Sequence, residues 1–140
     1  METKFIVFQL GNEEYGIAVE QVKSIEKMQH ITRVPRTEKY VRGVINLRGV
    51  VIPILDLRKQ FGLQEQTHTD HTRIIIVIIN DIEVGLIVDA ANDVLDIYDD
   101  HIESAPEVIE ADYISGVVKV EERLIVLVNL GKVLGLDDQE

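Results

Sequence analysis

An internal repeat constrains the fold more than any other feature of the sequence. Residues 40–63 align without a gap on residues 113–136 when the sequence is shifted by 73 positions. Eight of the 24 aligned pairs are identical and six more exchange one aliphatic residue for another, and a repeat of this kind indicates a duplicated structural unit. We therefore predict two similar halves, residues 1–66 and 67–140, a division of the sequence that leaves open whether strands are exchanged between them. The identical pairs are Tyr40/Tyr113, Gly43/Gly116, Val44/Val117, Ile52/Ile125, Leu57/Leu130, Lys59/Lys132, Gly62/Gly135 and Leu63/Leu136.

The apolar residues predict strands along most of the chain. The hydrophobic content is 46% with no tryptophan, and its many Ile, Val and Leu residues are typical of strands packed in aliphatic layers. A first predicted hairpin, 5–19, recurs at a shift of 69 as 74–88. One helical turn is predicted from Asp56 to Phe61 with Asp56 as its N-cap, and a short helix is predicted from Asn129 to Leu134. About five strands in each half are enough to close two small β-barrels, so the predicted fold class is all-β.

The composition sets the class of protein. A chain of 140 residues fits one compact domain. The absence of cysteine excludes disulfides and thiolate catalysis and suits a cytoplasmic protein. The N-terminus shows no signal-peptide pattern, and the apolar run 74–79 is far too short to cross a bilayer.

Charge is distributed unevenly between the halves. Residues 1–66 hold 10 Lys/Arg and 8 Asp/Glu, a net charge of +2, whereas residues 67–140 hold 4 and 17, a net charge of −13. A negative field of this size opposes nucleic acid and anionic lipid, so neither nucleic acid nor direct membrane insertion is expected. The same acids could also simply keep the protein soluble.

The residues show no pattern that predicts catalysis. His68 and His71 could contribute to a metal site, but no further ligands converge by spacing. His101 lies near Asp100 and Ser104, yet all three fall in one acidic loop with nothing to orient them. No glycine-rich segment has the ending of a phosphate-binding loop. We expect no enzymatic activity, no metal and no cofactor.

An apolar ridge follows the first hairpin. Val19, Val22 and Ile25 are spaced at i, i+3 and i+6, which predicts one or two helical turns. The ridge could pack into the core or form a contact surface.

Arg48 is the other residue that the pattern singles out. It lies between a predicted apolar strand and Gly49, where we expect half-buried surroundings. A buried charge must be paired or hydrogen-bonded, because an unpaired one is very costly. One interpretation is a structural ion pair with the acidic half, with Asp89 as one possible counterion. The other is a direct contact with a partner protein. Both interpretations stay open.

The central motif resembles a known family. Val34-Pro35 followed by residues 40–58, Tyr-Val-Arg-Gly-Val-Ile-Asn-Leu-Arg-Gly-Val-Val-Ile-Pro-Ile-Leu-Asp-Leu-Arg, is similar to the signature of the CheW family, the coupling proteins of bacterial chemotaxis. The resemblance covers residues 5–136. Further motifs agree in order and spacing: Glu14-Tyr15-Gly16-Ile17, Gly85-Leu86-Ile87-Val88-Asp89 and Arg123-Leu124-Ile125-Val126-Leu127.

The resemblance implies a fold and a function. The fold would be two SH3-like five-stranded barrels with a shared apolar core. The function would be that of a non-enzymatic adaptor, or scaffold, in a two-component system. It would couple the cytoplasmic tips of methyl-accepting chemoreceptors to the regulatory domain of a CheA-type histidine kinase, so that receptors control autophosphorylation. The protein would be cytoplasmic, at receptor arrays on the inner face of the membrane.

The resemblance also implies contact residues. An apolar ridge suits a helix-in-groove contact with a receptor. The receptor-binding residues would be Val19, Val22 and Ile25 on one wall, Asp89 and Val94 on the other, and Gly43 and Arg48 at positions associated with receptor coupling. A segment spanning residues 102–108 would contact the kinase through Glu103 and Val108.

Two positions depart from the family pattern. Glu38 stands where proline is frequent, and Ala91 stands where a bulkier aliphatic residue is common. An alternative function is that of a CheW-like regulator of a different sensory kinase pathway, for example in surface motility.

Overall fold

Ten strands and two single-turn α-helices form the regular structure of the described residues. The computed structural model describes residues 1–35, 37, 39–105 and 113–135. In chain order the elements are β1 Glu2–Leu10, β2 Glu13–Ala18, β3 Val22–Lys27, β4 Val41–Leu47, β5 Val50–Asp56, α1 Leu57–Gln60, β6 Arg73–Ile79, β7 Ile82–Val88, β8 Ala90–Tyr98, β9 Ile114–Val120, β10 Arg123–Val128 and α2 Leu130–Val133. Single 3₁₀ turns lie at Val19–Gln21 and Asp99–His101.

The strands form two five-stranded sheets, which confirms the predicted all-β class. One sheet has the order β8-β1-β2-β10-β9 and the other has the order β3-β6-β7-β5-β4. The chain divides into two compact units, one made of Met1–Gln21 and Asn92–Glu140 and the other of Val22–Ala91. We call them the terminal unit and the middle unit. The predicted shared apolar core stays a prediction.

Each unit has its own aliphatic core. The core of the terminal unit is formed by Val7, Ile97, Val118, Ile125 and Leu127. The core of the middle unit is formed by Ile45, Ile52, Ile54, Ile74, Ile76 and Ile87.

The duplication is visible in the strand pairing. Ile54 of β5 lies opposite Gly85 of β7 in a parallel register, and the repeat-equivalent Leu127 of β10 lies opposite Gly16 of β2 in the same way. Each sheet contains a hairpin from one predicted half of the sequence, and this hairpin pairs with strands from the other half. The boundary near residue 66 thus stays a prediction about the sequence repeat.

The helices after Asp56 and Asn129 are confirmed. The Asp56 carboxylate accepts hydrogen bonds from the Arg58 and Lys59 backbone N–H groups at 3.0 and 3.4 Å. The Asn129 side chain accepts one from Lys132 N–H at 3.2 Å. Each cap satisfies backbone donors that the first helical turn leaves free.

The prediction of helical turns through Ile25 is wrong. Only Val19–Gln21 forms a 3₁₀ turn, and the chain continues as the strand β3 from Val22. The i, i+3 spacing was misleading because β3 pairs with β6 along its length, and these ladder hydrogen bonds outweigh local periodicity.

No helix within the described ranges is long and apolar enough to cross a membrane.

Candidate functional site

Val22 and Ile25 lie on one face of the middle sheet. Val22 pairs with Val77 and Ile25 pairs with Ile75. Directly opposite residues point to the same side, and positions 75 and 77 share a face because strand side chains alternate. In a regular strand, two residues three positions apart lie on opposite faces. Val22 and Ile25 share a face because the register of β3 shifts between Val22 and Ser24, which is the effect of a β-bulge. Ile25 is 42% exposed and Val22 is half-buried.

The other predicted receptor residues divide between the units. Asp89 belongs to the middle unit, whereas Val19 and Val94 belong to the terminal unit. Val19 is half-buried in its 3₁₀ turn, and Val94 in β8 is 55% exposed. The predicted groove that joins these residues stays a prediction.

Arg48 is exposed, so the expected half-burial is wrong. Arg48 and Gly49 have φ angles of 52° and 88° and form the two-residue turn between β4 and β5, a geometry typical of type I′ hairpins. The Arg48 guanidinium is 70% exposed, and its Nη2 lies 3.2 Å from Glu26 Oε2. The suggested tie to Asp89 is also wrong, because β3 supplies the partner of Arg48.

Glu26 has two hydrogen-bond partners that favour its charged form. Hydrogen bonding with Ser24, and secondarily with Arg48, holds the pKa of the Glu26 carboxyl below its ordinary value of 4.5. Only 18% of this side chain is exposed. The hairpin turn that carries Arg48 is therefore fastened to β3 by an ion pair within the middle unit.

Asp89 is held by Arg58. Arg58 Nε and Nη2 donate to the two Asp89 carboxylate oxygens at 3.0 and 2.6 Å, a bidentate geometry that is among the stronger ion pairs. This hydrogen bonding raises the pKa of Arg58 above its ordinary value. Arg58 also donates to the Gln64 carbonyl oxygen at 2.7 Å and to Gln66 Oε1. One guanidinium thus ties the end of β7 to the segment that follows α1.

Gly43 has a steric role. Its φ is +142°, and a Cβ at this position would lie 2.1 Å from the Thr32 carbonyl oxygen. Thr32 and Val44 exchange two backbone hydrogen bonds of 2.8 Å, which hold Thr32 and its neighbours against β4. A side chain on Gly43 cannot coexist with this bridge.

Glu103 occupies the equivalent place in the terminal unit. It exchanges two 2.8 Å backbone hydrogen bonds with Val117, beside Gly116, whose added Cβ would lie 2.8 Å from the Glu103 carbonyl oxygen. The Glu103 side chain is exposed. Val108, the other predicted kinase contact, lies outside the described residues, as does Glu38.

Sequence reasoning missed an arginine-centred ion-pair cluster in the terminal unit. Arg123 donates to both Glu14 oxygens at 2.9 and 3.0 Å and to both Asp93 oxygens at 3.0 Å. Asn92 donates to Glu14 Oε2 at 2.8 Å. The Arg123 and Asn92 hydrogen bonds hold the pKa of Glu14 below its ordinary value. No local pattern indicates this cluster, because its residues lie in three strands that only the fold brings together.

Among the residues that the structure describes, no group of three or more His, Cys, Asp or Glu side chains could hold a metal ion. Fixed hydrogen bonds, ion pairs and an exposed aliphatic face make up the candidate site. Such surfaces can bind other proteins.

Comparisons with known proteins agree with the sequence resemblance. Residues 4–138 match the model of the CheW-like domain. The chain is 51% identical over 140 residues to chemotaxis protein CheW of Bacillus subtilis, covering 98% of this chain and 90% of that protein. It is 36% identical over 138 residues to chemotaxis protein CheW of Klebsiella aerogenes, covering 96% and 83% of the two chains. Its structure matches the scaffolding protein TtCheW from Thermoanaerobacter tengcongensis with a TM-score of 0.91 at 35% identity, covering 100% and 97%.

Proposed function

The chain belongs to the CheW family, and from this premise we propose that it is a chemotaxis adaptor that links receptors to a histidine kinase. The observation that carries the proposal is the match over nearly the whole length of CheW proteins from other bacteria. The matched solved structure is that of a scaffolding protein. The protein is a non-enzymatic scaffold of chemotaxis.

The partners of the adaptor are the cytoplasmic tips of methyl-accepting chemoreceptors and the regulatory domain of a CheA-type kinase. Binding both would place the protein at receptor arrays on the inner face of the membrane. By holding the kinase beside the receptors, the adaptor lets ligand occupancy control autophosphorylation.

The receptor contact rests on the exposed face of β3. Ile25 presents an aliphatic side chain that is 42% exposed, and Val22 shares its face. Burial of such side chains against an apolar stripe of a helix is favourable by about 25 cal/mol per Å². Val19 and Val94 belong to the terminal unit and stay predicted receptor-binding residues.

Asp89 and Gly43 serve receptor binding indirectly. Asp89 is engaged by Arg58, and Gly43 permits the bridge between Thr32 and Val44. Both residues position backbone segments of the middle unit. Arg48, by contrast, carries an exposed guanidinium that can reach a partner directly, and Glu103 and Val108 are assigned to the kinase.

A ternary binding assay tests the proposed function. The protein is mixed with membranes that contain a chemoreceptor and with the isolated regulatory domain of the kinase, and the membranes are sedimented. We expect the kinase domain to sediment only when the protein is present. The proposal fails if neither the receptor membranes nor the kinase domain binds the protein. Binding to a different sensory kinase alone would favour the regulator of another pathway.

A further inference from the structure

The middle unit contains an open cleft for which the proposed function names no ligand. Its volume is about 1430 Å³, and its lining includes described residues between Met28 and Pro35, then Thr37 and Lys39, and residues of α1 and of the segment that follows it. Pockets for small ligands measure roughly 300–1,000 Å³. This cleft is large enough for a peptide segment.

The acidic side chains that line the cleft already have basic ion-pair partners. Each of the three carboxylates is paired with a cation from the same wall. The pairs are Arg42–Asp56 at 3.1 Å, Arg58–Asp89 at 2.6 Å and Lys59–Glu65 at 2.8 Å. These charges therefore cancel within the cleft.

Two further cations belong to the lining of the cleft. Arg33 and Lys39 line the cleft and are exposed, and neither has an ion-pair partner within the described part of the chain. The cleft wall thus has an excess of positive charge. It attracts carboxylates through short-range interactions.

The middle unit as a whole also carries a positive net charge. Residues 22–91 contain 10 Lys/Arg and 8 Asp/Glu, a net charge of +2, whereas the other residues contain 4 and 17, a net charge of −13. An acidic ligand is therefore repelled by the residues of the terminal unit and accepted by those of the middle unit. The charge distribution favours this cleft over other surfaces.

The cleft also has an aliphatic floor. Met28 and Ile31 line it and pack against the core of the middle unit. Val34 and Leu63 lie at its rim with 40% and 36% of their surface exposed. A ligand that combines carboxylates with an aliphatic side chain would match both the rim and the floor.

We propose that this cleft binds an acidic peptide segment of a partner protein, with Arg33 and Lys39 pairing to its carboxylates and the floor taking an aliphatic side chain. The bridge between Thr32 and Val44 fixes the wall that carries Arg33. The proposed site is thereby held open by backbone hydrogen bonds rather than formed by the ligand.

A peptide-binding assay with the full chain tests the proposal. The probe is a short fluorescein-labelled peptide that alternates glutamate with leucine or alanine, and a matched peptide has glutamine in place of each glutamate. We expect fluorescence anisotropy to show about tenfold tighter binding of the glutamate peptide at low salt, with the difference shrinking as salt screens the charges. Equal affinity for the two peptides would overturn the proposal.

Substitutions of the cleft cations test whether the peptide binds at the cleft. Arg33→Gln and Lys39→Gln should each weaken binding by up to about fivefold, the range of exposed ion pairs, and the double variant should weaken it further. The matched control is Lys119→Gln, which removes an exposed cation from the terminal unit and should leave the affinity unchanged. An unaffected double variant would contradict the proposal. The same holds for a control variant that loses as much affinity as Arg33→Gln.

Two further measurements separate the partner peptide from other occupants. Backbone amide NMR shifts induced by the glutamate peptide should concentrate in residues 28–42 and 58–68, and shifts centred elsewhere would overturn the proposal. If sedimentation shows salt-sensitive oligomers that Arg33→Gln abolishes while the peptide does not bind, the occupant is a second copy and the partner proposal is wrong. The assays contain neither receptor nor kinase, so their failure leaves the proposed function intact.

Discussion

Arg48 and Arg58 have opposite environments although each directly follows a leucine. The Arg48 side chain is 70% exposed with one contact to Glu26 at 3.2 Å, whereas the Arg58 side chain is 13% exposed and makes a bidentate pair with Asp89. An exposed pair contributes little to stability, whereas hydrogen bonds to charged, shielded groups contribute about 1.5–3 kcal/mol each. Arg58 is the structural arginine, and Arg48 is available to a partner.

We expect Arg48→Ala to leave the protein stable and to impair coupling. Loss of the exposed pair with Glu26 should cost about 1 kcal/mol or less, measured by thermal or urea unfolding. Receptor-dependent kinase activation should fall more than stability does. The matched variant Glu26→Gln removes the same pair and keeps the guanidinium, so it should retain coupling. A large drop in melting temperature for Arg48→Ala would contradict the contact role.

The Glu14 carboxylate should make stability depend on pH. Its pKa in the folded state is held below the ordinary value of 4.5, chiefly by Arg123. A depressed pKa adds stability above about pH 4.5, and this contribution is lost as the pH falls through the folded-state pKa.

Urea unfolding between about pH 3 and pH 7 measures this contribution. We expect Glu14→Gln to lower the free energy of unfolding near neutral pH and to flatten its decline on acidification. Glu13→Gln, at the neighbouring exposed position, is the control and should follow the wild type. Parallel pH curves for wild type and Glu14→Gln would show that the ion pair is not formed.

At the scale of elements, β3 combines a local irregularity with the face that we propose for the receptor contact. The bulge between Val22 and Ser24 brings Val22 and Ile25 to one side, which a regular strand would place on opposite sides. The spacing that had predicted a helix therefore reflects a real shared face, made by a different backbone geometry.

Ile25→Asp should weaken receptor binding by about tenfold or more and leave the fold intact. The side chain is 42% exposed, so a carboxylate there stays solvated in the free protein but is desolvated in an apolar contact. Val22 is half-buried, and a substitution there would affect the fold as well. Leu124→Asp, at a 56% exposed aliphatic position of the terminal unit, is the control. Receptor sedimentation with unchanged Ile25→Asp binding would exclude β3 from the contact.

Gly43→Ala should destabilise the middle unit more than Gly49→Ala does. Both glycines have positive φ, which costs a residue with a Cβ about 1–2 kcal/mol. Only Gly43 would also place its Cβ 2.1 Å from the Thr32 carbonyl oxygen, since Gly49 has open space around it. We expect an additional loss of about 1–3 kcal/mol for Gly43→Ala, together with loss of protection of the Val44 amide in hydrogen exchange. Equal destabilisation by both variants would contradict the steric role.

At the scale of the whole molecule, the repeat predicted more than any single residue did. The two sheets, the paired helices and their caps follow from residues that recur at a fixed shift. The strand pairing between repeats could not be predicted, because a hairpin can pair with strands from either copy with the same local pattern. The ion pairs of Arg48, Arg58 and Arg123 could not be predicted either, since each joins residues that become neighbours only in the fold.

The family resemblance predicted the function, which the residues alone could not predict. Composition excluded thiolate chemistry and disfavoured nucleic acid, but an adaptor has no catalytic constellation for a sequence to reveal. The proposed contact surface consists of ordinary aliphatic and charged side chains, such as Ile25 and Arg48. Only the match over residues 4–138 distinguishes this surface from that of another small β protein.

Kinase autophosphorylation in the presence of receptor membranes, measured with and without the protein, tests the adaptor function most directly. We expect the protein to raise the rate of autophosphorylation and attractant to remove the increase, because control by the receptor requires the link. If the rate is unchanged although the protein binds the kinase, or if attractant leaves the increase in place, the chain does not couple receptors to the kinase and the central claim is contradicted.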